Sequence, residues 1–337
     1  MSLAPLKHGP WKLADLKEVP SNGLKVFSCF HCGGGSTMGY KLAGYEVLGG
    51  VEIDPKMMEI YRANHNPKHS YLMGVGDFAK IPQSELPPEL YDLDILDGSP
   101  PCSSFSMAGA REKKWGKASK FKEGQAVQVL DDLFFQFIEV AAKLNPKVVV
   151  AENVKGLIAG NARGYVKEIF AAFSRAGYSC QLFLLNAAAM GVPQRRERVF
   201  FVANRLGKKL ALKFEESPIP AAAVSPRLQG YKLVTAGNER HYAHGRLCRP
   251  WDTEVHPAPT QTATGNSVDG AKEFPGDGTF VDPIKFTDQE KILFQTFPED
   301  FNFLKTCPGY VTGMSVPPYM MQRLALEIQR QFFMADT

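Results

Sequence analysis

Short apolar runs alternate with stretches of helical period along most of the chain. Leu24 to Phe27, Glu46 to Val51, Leu93 to Leu96, Lys147 to Ala151 and Cys180 to Leu185 each read as a strand, the central ones apolar enough to be buried on both faces. Between them, Thr37 to Ala43 predicts a short helix. Val127, Leu130, Phe134, Phe137, Ile138 and Ala141 recur at helical spacing, and that helix must stop before Pro146. A further helix covers about Tyr165 to Ala176. After Pro318, the residues Met321, Leu324, Ala325, Ile328 and Phe332 form one apolar stripe that calls for docking. The alternation of strand and helix predicts an α/β fold. From about 205 to 284 the pattern changes: Gly, Thr, Pro and Asn become common and helical periodicity disappears. Residues 1 to 23 form a polar, proline-bearing leader with no assigned role.

Composition sharpens this only a little. A chain of 337 residues, 44% hydrophobic and 22% charged, can bury a core and is long enough for two domains. A net charge of +4 is too mild to name a polyanionic partner by itself. The six cysteines, at 29, 32, 102, 180, 248 and 307, lack a regular disulfide spacing and read as reduced and intracellular. No signal peptide opens the chain and no apolar run approaches the length of a membrane span. A cytoplasmic protein is expected.

The strand ends carry the chemistry. Asp97-Gly98-Ser99-Pro100-Pro101-Cys102 follows a buried strand, and the paired prolines stiffen the turn that holds Cys102. A cysteine at the carboxyl edge of a sheet, where open α/β sheets bind ligands, is a candidate nucleophile. Glu152 falls at the end of another strand, on the same edge if the two are parallel. The first strand runs into Phe30, Cys32, Gly33, Gly34, Gly35 and Gly39, so backbone can approach a ligand closely there. Glu52 ends the next strand about twenty residues later, where a dinucleotide fold places its ribose-binding acid. The glycine spacing is one residue longer than the dinucleotide fingerprint. It suits a nucleoside-like cofactor without pyrophosphate, and S-adenosylmethionine fits. Phe30 could stack on an adenine and Asp77 could accept from its amino group. Cys29 and Cys32 have no second pair nearby and make a poor zinc site. Arg111 to Lys122 holds six basic residues and one acid beside Cys102, which suits a loop that closes over a phosphate backbone. If residues 194 to 198 are extended, Gln194, Arg196 and Arg198 share one face while Arg195 and Glu197 share the other. A structural ladder is the competing reading of that face.

These motifs together resemble the DNA cytosine-C5 methyltransferases. The glycine loop with Phe30, then Glu52, Asp77, Pro100-Pro101-Cys102, Glu152-Asn153-Val154 and Gln194-x-Arg196-x-Arg198 occur in family order. Thr287 to Glu290, Gln295 to Pro298 and Gly313 to Pro318 follow near the end. The resemblance implies a Rossmann-like, doubly wound, mostly parallel sheet, with residues 1–204 and 285–337 in one catalytic domain and 205–284 as a target-recognition domain. It implies S-adenosyl-L-methionine as cofactor, held by Phe30, Gly33, Gly35, Glu52, Ile53, Asp77, Phe78, Pro100 and Ser315. Cys102, Glu152, Arg198, Arg196 and Gln194 would be catalytic, acting on a cytosine flipped out of double-stranded DNA. Three positions depart from the family: Cys32 replaces a glycine, Ser103 a glutamine and Met314 an asparagine.

In the insert, Lys208, Lys209, Lys213, Arg227, Lys232, Arg240, Arg246 and Arg249 would hold phosphates, and the Thr-rich turn from His256 to Asn266 would lie next to the DNA. His241, His244 and Cys248 lack an evident fourth ligand for a metal. The expected partner is double-stranded DNA, with a monomeric enzyme and a cognate restriction endonuclease as further expectations. A tRNA cytosine-C5 methyltransferase on the same scaffold, a non-catalytic DNA-binding relative and an NAD-dependent oxidoreductase are the alternatives. The last of these leaves Pro100-Pro101-Cys102 and the arginine strand without a job.

Overall fold

The computed structural model describes residues 8–101, 132–159, 163–235, 251–263, 268–271 and 286–334. Cys102, Ser103, the basic stretch from 111 to 122, Val127, Leu130, Arg240, His241, His244, Arg246, Cys248 and Arg249 lie outside the described residues.

Seven strands form the main sheet: β1 (Lys25–Cys29), β2 (Glu46–Glu52), β3 (His69–Leu72), β4 (Ile95–Gly98), β5 (Val148–Val154), β6 (Ser179–Asn186) and β8 (Glu197–Asn204), with the two-residue β7 (Gln194–Arg195) lying apart from it. The order is β3-β2-β1-β4-β5-β8-β6. β1 to β5 run parallel, and β8 lies antiparallel between β5 and β6. The order reverses between β1 and β4, so their carboxyl ends flank the crevice where such sheets bind ligands.

Alternate residues explain the continuous apolar runs. Val26, Ile95, Val148, Val150, Phe200 and Val202 face one core, and Phe27, Leu96, Val149, Ala151, Val199 and Phe201 face the other. Both faces are therefore covered, as buried strands require. Helices α3 (Val75–Lys80), α4 (Leu133–Leu144) and α5 (Arg163–Arg175) supply residues to the second core. α1 (Gly35–Leu42) and α2 (Pro55–His65) supply the first, with the returning carboxyl-terminal segment. α4 ends at Asn145 in the left-handed conformation, directly ahead of Pro146.

The carboxyl-terminal segment contains α6 (Asp288–Phe294), α7 (Pro308–Met314) and α8 (Pro318–Ile328). The expected stripe of α8 is buried, but so is nearly every other residue of that helix, including Gln322 and Arg323. Its polar groups are paired to match: Gln322 donates to the Leu42 carbonyl at 3.1 Å, and Arg323 pairs with Glu216 at 2.8 Å. An inserted central helix, not a surface one, accounts for the wider burial. Each fully buried Leu, Ile or Met there contributes roughly 1.5–3 kcal/mol. The leader has a place too. Trp11 donates to the Thr296 carbonyl at 2.9 Å, and Tyr319 donates to that of Gly9 at 2.5 Å.

Asp97 differs slightly from expectation: it lies inside β4 rather than at its end. Among the described residues of the insert, helix is confined to short segments such as Ala221–Val224, as its composition suggests. β9 (Lys232–Thr235), β10 (Trp251–Asp252) and β12 (Val268–Ala271) form a small antiparallel sheet, while β11 (Ala258–Pro259) pairs in parallel with β7. Leu206, Leu210, Leu212 and Phe214 pack into the first core.

Candidate active site

Parallel pairing brings the chemistry to one edge. β4 continues into Ser99, Pro100 and Pro101, the turn that precedes Cys102. Two bonds fix this turn. The Ser99 amide donates to the Cys29 carbonyl at 3.4 Å, and Asn153 Nδ2 donates to the Pro100 carbonyl at 3.0 Å. Asn153 belongs to β5, so the strand that carries Glu152 also holds the proline turn in register. Asn153 stands in the Glu152-Asn153-Val154 motif, but the sequence does not show that it ties the proline turn.

Glu152 is 8% exposed, and its Oε1 stands 2.9 Å from Nε of Arg198. Arg198 lies opposite Val154 across the antiparallel β5–β8 pair, which is what delivers its side chain to this edge. Burial lowers the Arg198 pKa, and the charge of Glu152 opposes that shift. Arg198 also donates from Nη1 to the Glu197 carbonyl at 2.8 Å. Glu152 and Arg198 thus set a carboxylate and a guanidinium side by side, a pair that a hydrogen-bonding ring could engage.

Gln194 and Arg196 share a buried face, as period two requires, while Arg195 is exposed. Their hydrogen-bond partners differ from those of Arg198. Gln194 Nε2 donates to Gln295 Oε1 at 2.8 Å, and its own Oε1 accepts from the Gln261 amide at 3.0 Å. Arg196 donates to the carbonyls of Gln261 at 2.8 Å and Gly313 at 2.9 Å. Both residues clamp the insert and the carboxyl-terminal segment to the large domain. The ladder reading describes them, with backbone carbonyls as partners in place of carboxylates.

On the cofactor side, Glu52 ends β2 and is 7% exposed. Its Oε1 accepts from the amides of Ile53 at 2.9 Å and Asp54 at 3.0 Å, and its Oε2 accepts from Cys32 at 3.0 Å. A carboxylate has about four acceptor sites, so one on Oε2 remains for a hydroxyl. Phe30 and Ile53 are half-buried. This set of an acceptor with apolar neighbours at the switch crevice fits a nucleoside cofactor. Asp77 is exposed and faces Lys80 at 3.6 Å. Phe78 is fully buried and stacks on Phe27 with centroids 5.6 Å apart, so it supports the crevice from the core and lines no ligand face. Pro100 is buried.

Two glycines of the loop meet the returning chain. A Cβ at Gly33 would overlap the Val311 side chain, and one at Gly35 would overlap the Val316 carbonyl and lie 2.9 Å from the Ser315 Cβ. The close approach is made by the returning chain. Ser315 is buried and structural: its Oγ donates to the Val311 carbonyl at 2.8 Å, and its carbonyl accepts from Gln295 at 2.7 Å. Cys32 has φ +48°, in the left-handed region that favours glycine, which accounts for the glycine expected there. Met314 is half-buried against the first core. Among the described residues, no group of three or more His, Cys, Asp or Glu could hold a metal ion, and no helix is long and apolar enough to cross a membrane.

The family model of C-5 cytosine-specific DNA methylases matches residues 24–244. The chain belongs to that family. S-adenosylmethionine is accordingly its cofactor. Among curated relatives it is similar to the type II methyltransferase M.NgoPII of Neisseria gonorrhoeae, 34% identical over 197 residues, 57% of this chain and 51% of that protein. The chain thus spans about half the length of the relative in that match. With M.NgoFVII, a type II methyltransferase of the same organism, it is 28% identical over 346 residues, covering 91% of this chain and 87% of that one. The fold is shared with the solved structure of Spodoptera frugiperda DNMT2, at a TM-score of 0.60 and 18% identity over 90% of this chain and 99% of that one.

Proposed function

We propose that this chain transfers a methyl group from S-adenosylmethionine to C5 of a cytosine in a specific sequence of double-stranded DNA, giving 5-methylcytosine. The observation that carries this reading is the Glu152–Arg198 pair at 2.9 Å on the strand whose Asn153 holds the Pro100-Pro101 turn, immediately before Cys102. Bound S-adenosylmethionine supplies an electrophilic methyl group.

Cytosine C5 is a weak nucleophile and lies out of reach inside a duplex. The base must be flipped out, which costs a few kcal/mol of unstacking. The Cys102 thiolate then adds to C6 and forces electron density to C5. Glu152 holds or protonates N3 and contacts the exocyclic amino group. Arg198 binds O2 and favours the charge that develops on the ring. Once C5 carries the methyl group, loss of its proton expels Cys102 and restores the ring. Glu52 fixes the ribose, and Phe30 and Ile53 flank the adenine. Asp77, at its exposed position, receives the adenine amino group. Gln194 and Arg196 position the insert that reads the DNA. Lys113, Lys114 and Lys117 contact phosphates. The enzyme works as a cytoplasmic monomer on DNA, with a cognate restriction endonuclease as its partner.

The test is transfer of labelled methyl groups from S-adenosylmethionine to unmethylated genomic DNA and to tRNA, with Cys102→Ala as control. Label in DNA that vanishes in the variant is the expected result. Label in tRNA alone would replace the DNA reading with the RNA one.

A further inference from the structure

One buried acid at this edge has no part in the chemistry above. Asp97 is 1% exposed, in the middle of β4 beside β1. Ser28 Oγ donates to its Oδ2 at 2.8 Å, and the Tyr40 hydroxyl donates to its Oδ1 at 3.4 Å. Among the described residues no Lys, Arg or His pairs with it. Its titratable neighbours are all neutral or negative: Cys29 on β1, Tyr40 on α1, Tyr61 on α2 and Glu152 on β5. An acid kept at the switch point without a cation is costly to ionise unless a positive charge arrives from outside.

The reading above brings such a charge. S-adenosylmethionine is a sulfonium cation, whereas S-adenosylhomocysteine is a neutral thioether at the same sulfur. Asp97 lies one residue pair inside the carboxyl ends of β1 and β4, the strands that continue into Phe30 and Ser99. We propose that Asp97 is a specificity-determining residue that, as its carboxylate, favours the charged cofactor over its neutral product and so promotes product exchange. This deepens the methyl-transfer reading and rests on it. Burial pushes the Asp97 carboxyl up to about 7, and the charge of Glu152 adds to this against the bonds from Ser28, Tyr40 and Ser36. Near neutral pH the group is therefore poised. A cation in the crevice drives its proton off to solvent, and the carboxylate in turn strengthens binding of the cation. After methyl transfer the sulfur is neutral and that attraction is gone.

Calorimetric binding of S-adenosylmethionine and S-adenosylhomocysteine to the full chain, between pH 6 and pH 8, tests this. The affinity ratio of cofactor to product should rise with pH by roughly tenfold, the scale of one charge–charge interaction across a partly buried site. At pH 7, runs in two buffers of different ionisation enthalpy should show proton release with S-adenosylmethionine and less with S-adenosylhomocysteine. Asp97→Asn should flatten the ratio and abolish the difference in release. If that variant does not fold, the wild-type pH series decides alone. Binding of both ligands with a pH-independent ratio would overturn the role of Asp97 and leave the methyl-transfer reading standing. Binding of neither would overturn both.

Discussion

Arg196 and Arg198 stand two residues apart, yet they take partners of different kinds. Arg198 meets a carboxylate at the sheet edge. Arg196 is 1% exposed and donates to backbone carbonyls from the insert and from the last turn of α7. The partner sets the role. A guanidinium paired with an edge carboxylate can exchange part of its bonding for a substrate. One that holds carbonyls of two separate segments cannot leave them without loosening the fold.

That contrast can be broken by substitution. Glu152→Gln keeps the shape of the edge and removes its charge and proton. Methyl transfer should fall by roughly 10²- to 10⁴-fold, the usual worth of a positioned acid or base, while the unfolding midpoint changes little. Activity within a factor of a few of wild type would remove Glu152 from the chemistry. Arg196→Ala should do the reverse in kind. It strands the Gln261 and Gly313 carbonyls, and denaturant unfolding should show a loss of about 3 kcal/mol. An Arg196→Ala protein of full stability that has lost methyl transfer would place Arg196 beside Arg198 after all.

A smaller effect sharpens the account of the glycine loop. A Cβ at Gly39 would stand 2.6 Å from the Pro318 carbonyl and overlap the Met321 side chain. Gly39→Ala should therefore cost about 1–3 kcal/mol through overpacking, read as a lower urea midpoint. An unchanged midpoint would mean that α1 and α8 can separate more easily than their packing suggests.

The last effect is a slope. Burial holds His31 down at about 4 and His65 at about 3, against about 6.5 in an unfolded chain. Unfolding takes up their protons below pH 6.5, so their contribution is full above that pH and is lost as pH falls toward 4 and 3. Asp97, raised to about 7, acts in the opposite sense and loses its contribution as pH rises to 7. His65→Gln should make the fall in stability between pH 6 and 4 shallower by about 1.4 kcal/mol per pH unit. Parallel curves for wild type and variant would show that His65 is already charged in the folded protein.

The strands were legible because both faces of the sheet are covered, and apolar runs such as Lys147 to Ala151 have no other use. Glu152 and Glu52 could be placed because each ends such a run, and both reach the carboxyl edge. The division of labour within Gln194-Arg195-Arg196-Glu197-Arg198 was not legible. Period two puts three side chains on a face but says nothing about which segments return from residues 261, 295 and 313 to meet them. The glycine loop was legible only in part for a similar reason: glycine signals a close approach, and the sequence does not say that the chain's own carboxyl-terminal segment also comes close. Asp97 looked like punctuation before a turn, and only the lateral neighbours Ser28 and Tyr40 show it as a buried acid.

The most direct test of the central claim is covalent capture on duplex DNA carrying 5-fluorocytosine. Fluorine at C5 cannot leave as a proton, so an adduct between Cys102 and C6 stays trapped after methyl transfer. The account predicts a protein–DNA complex that survives denaturing electrophoresis, requires S-adenosylmethionine and is absent with Cys102→Ala. A complex that forms equally well with Cys102→Ala, or active methyl transfer without any trapped complex, would contradict it.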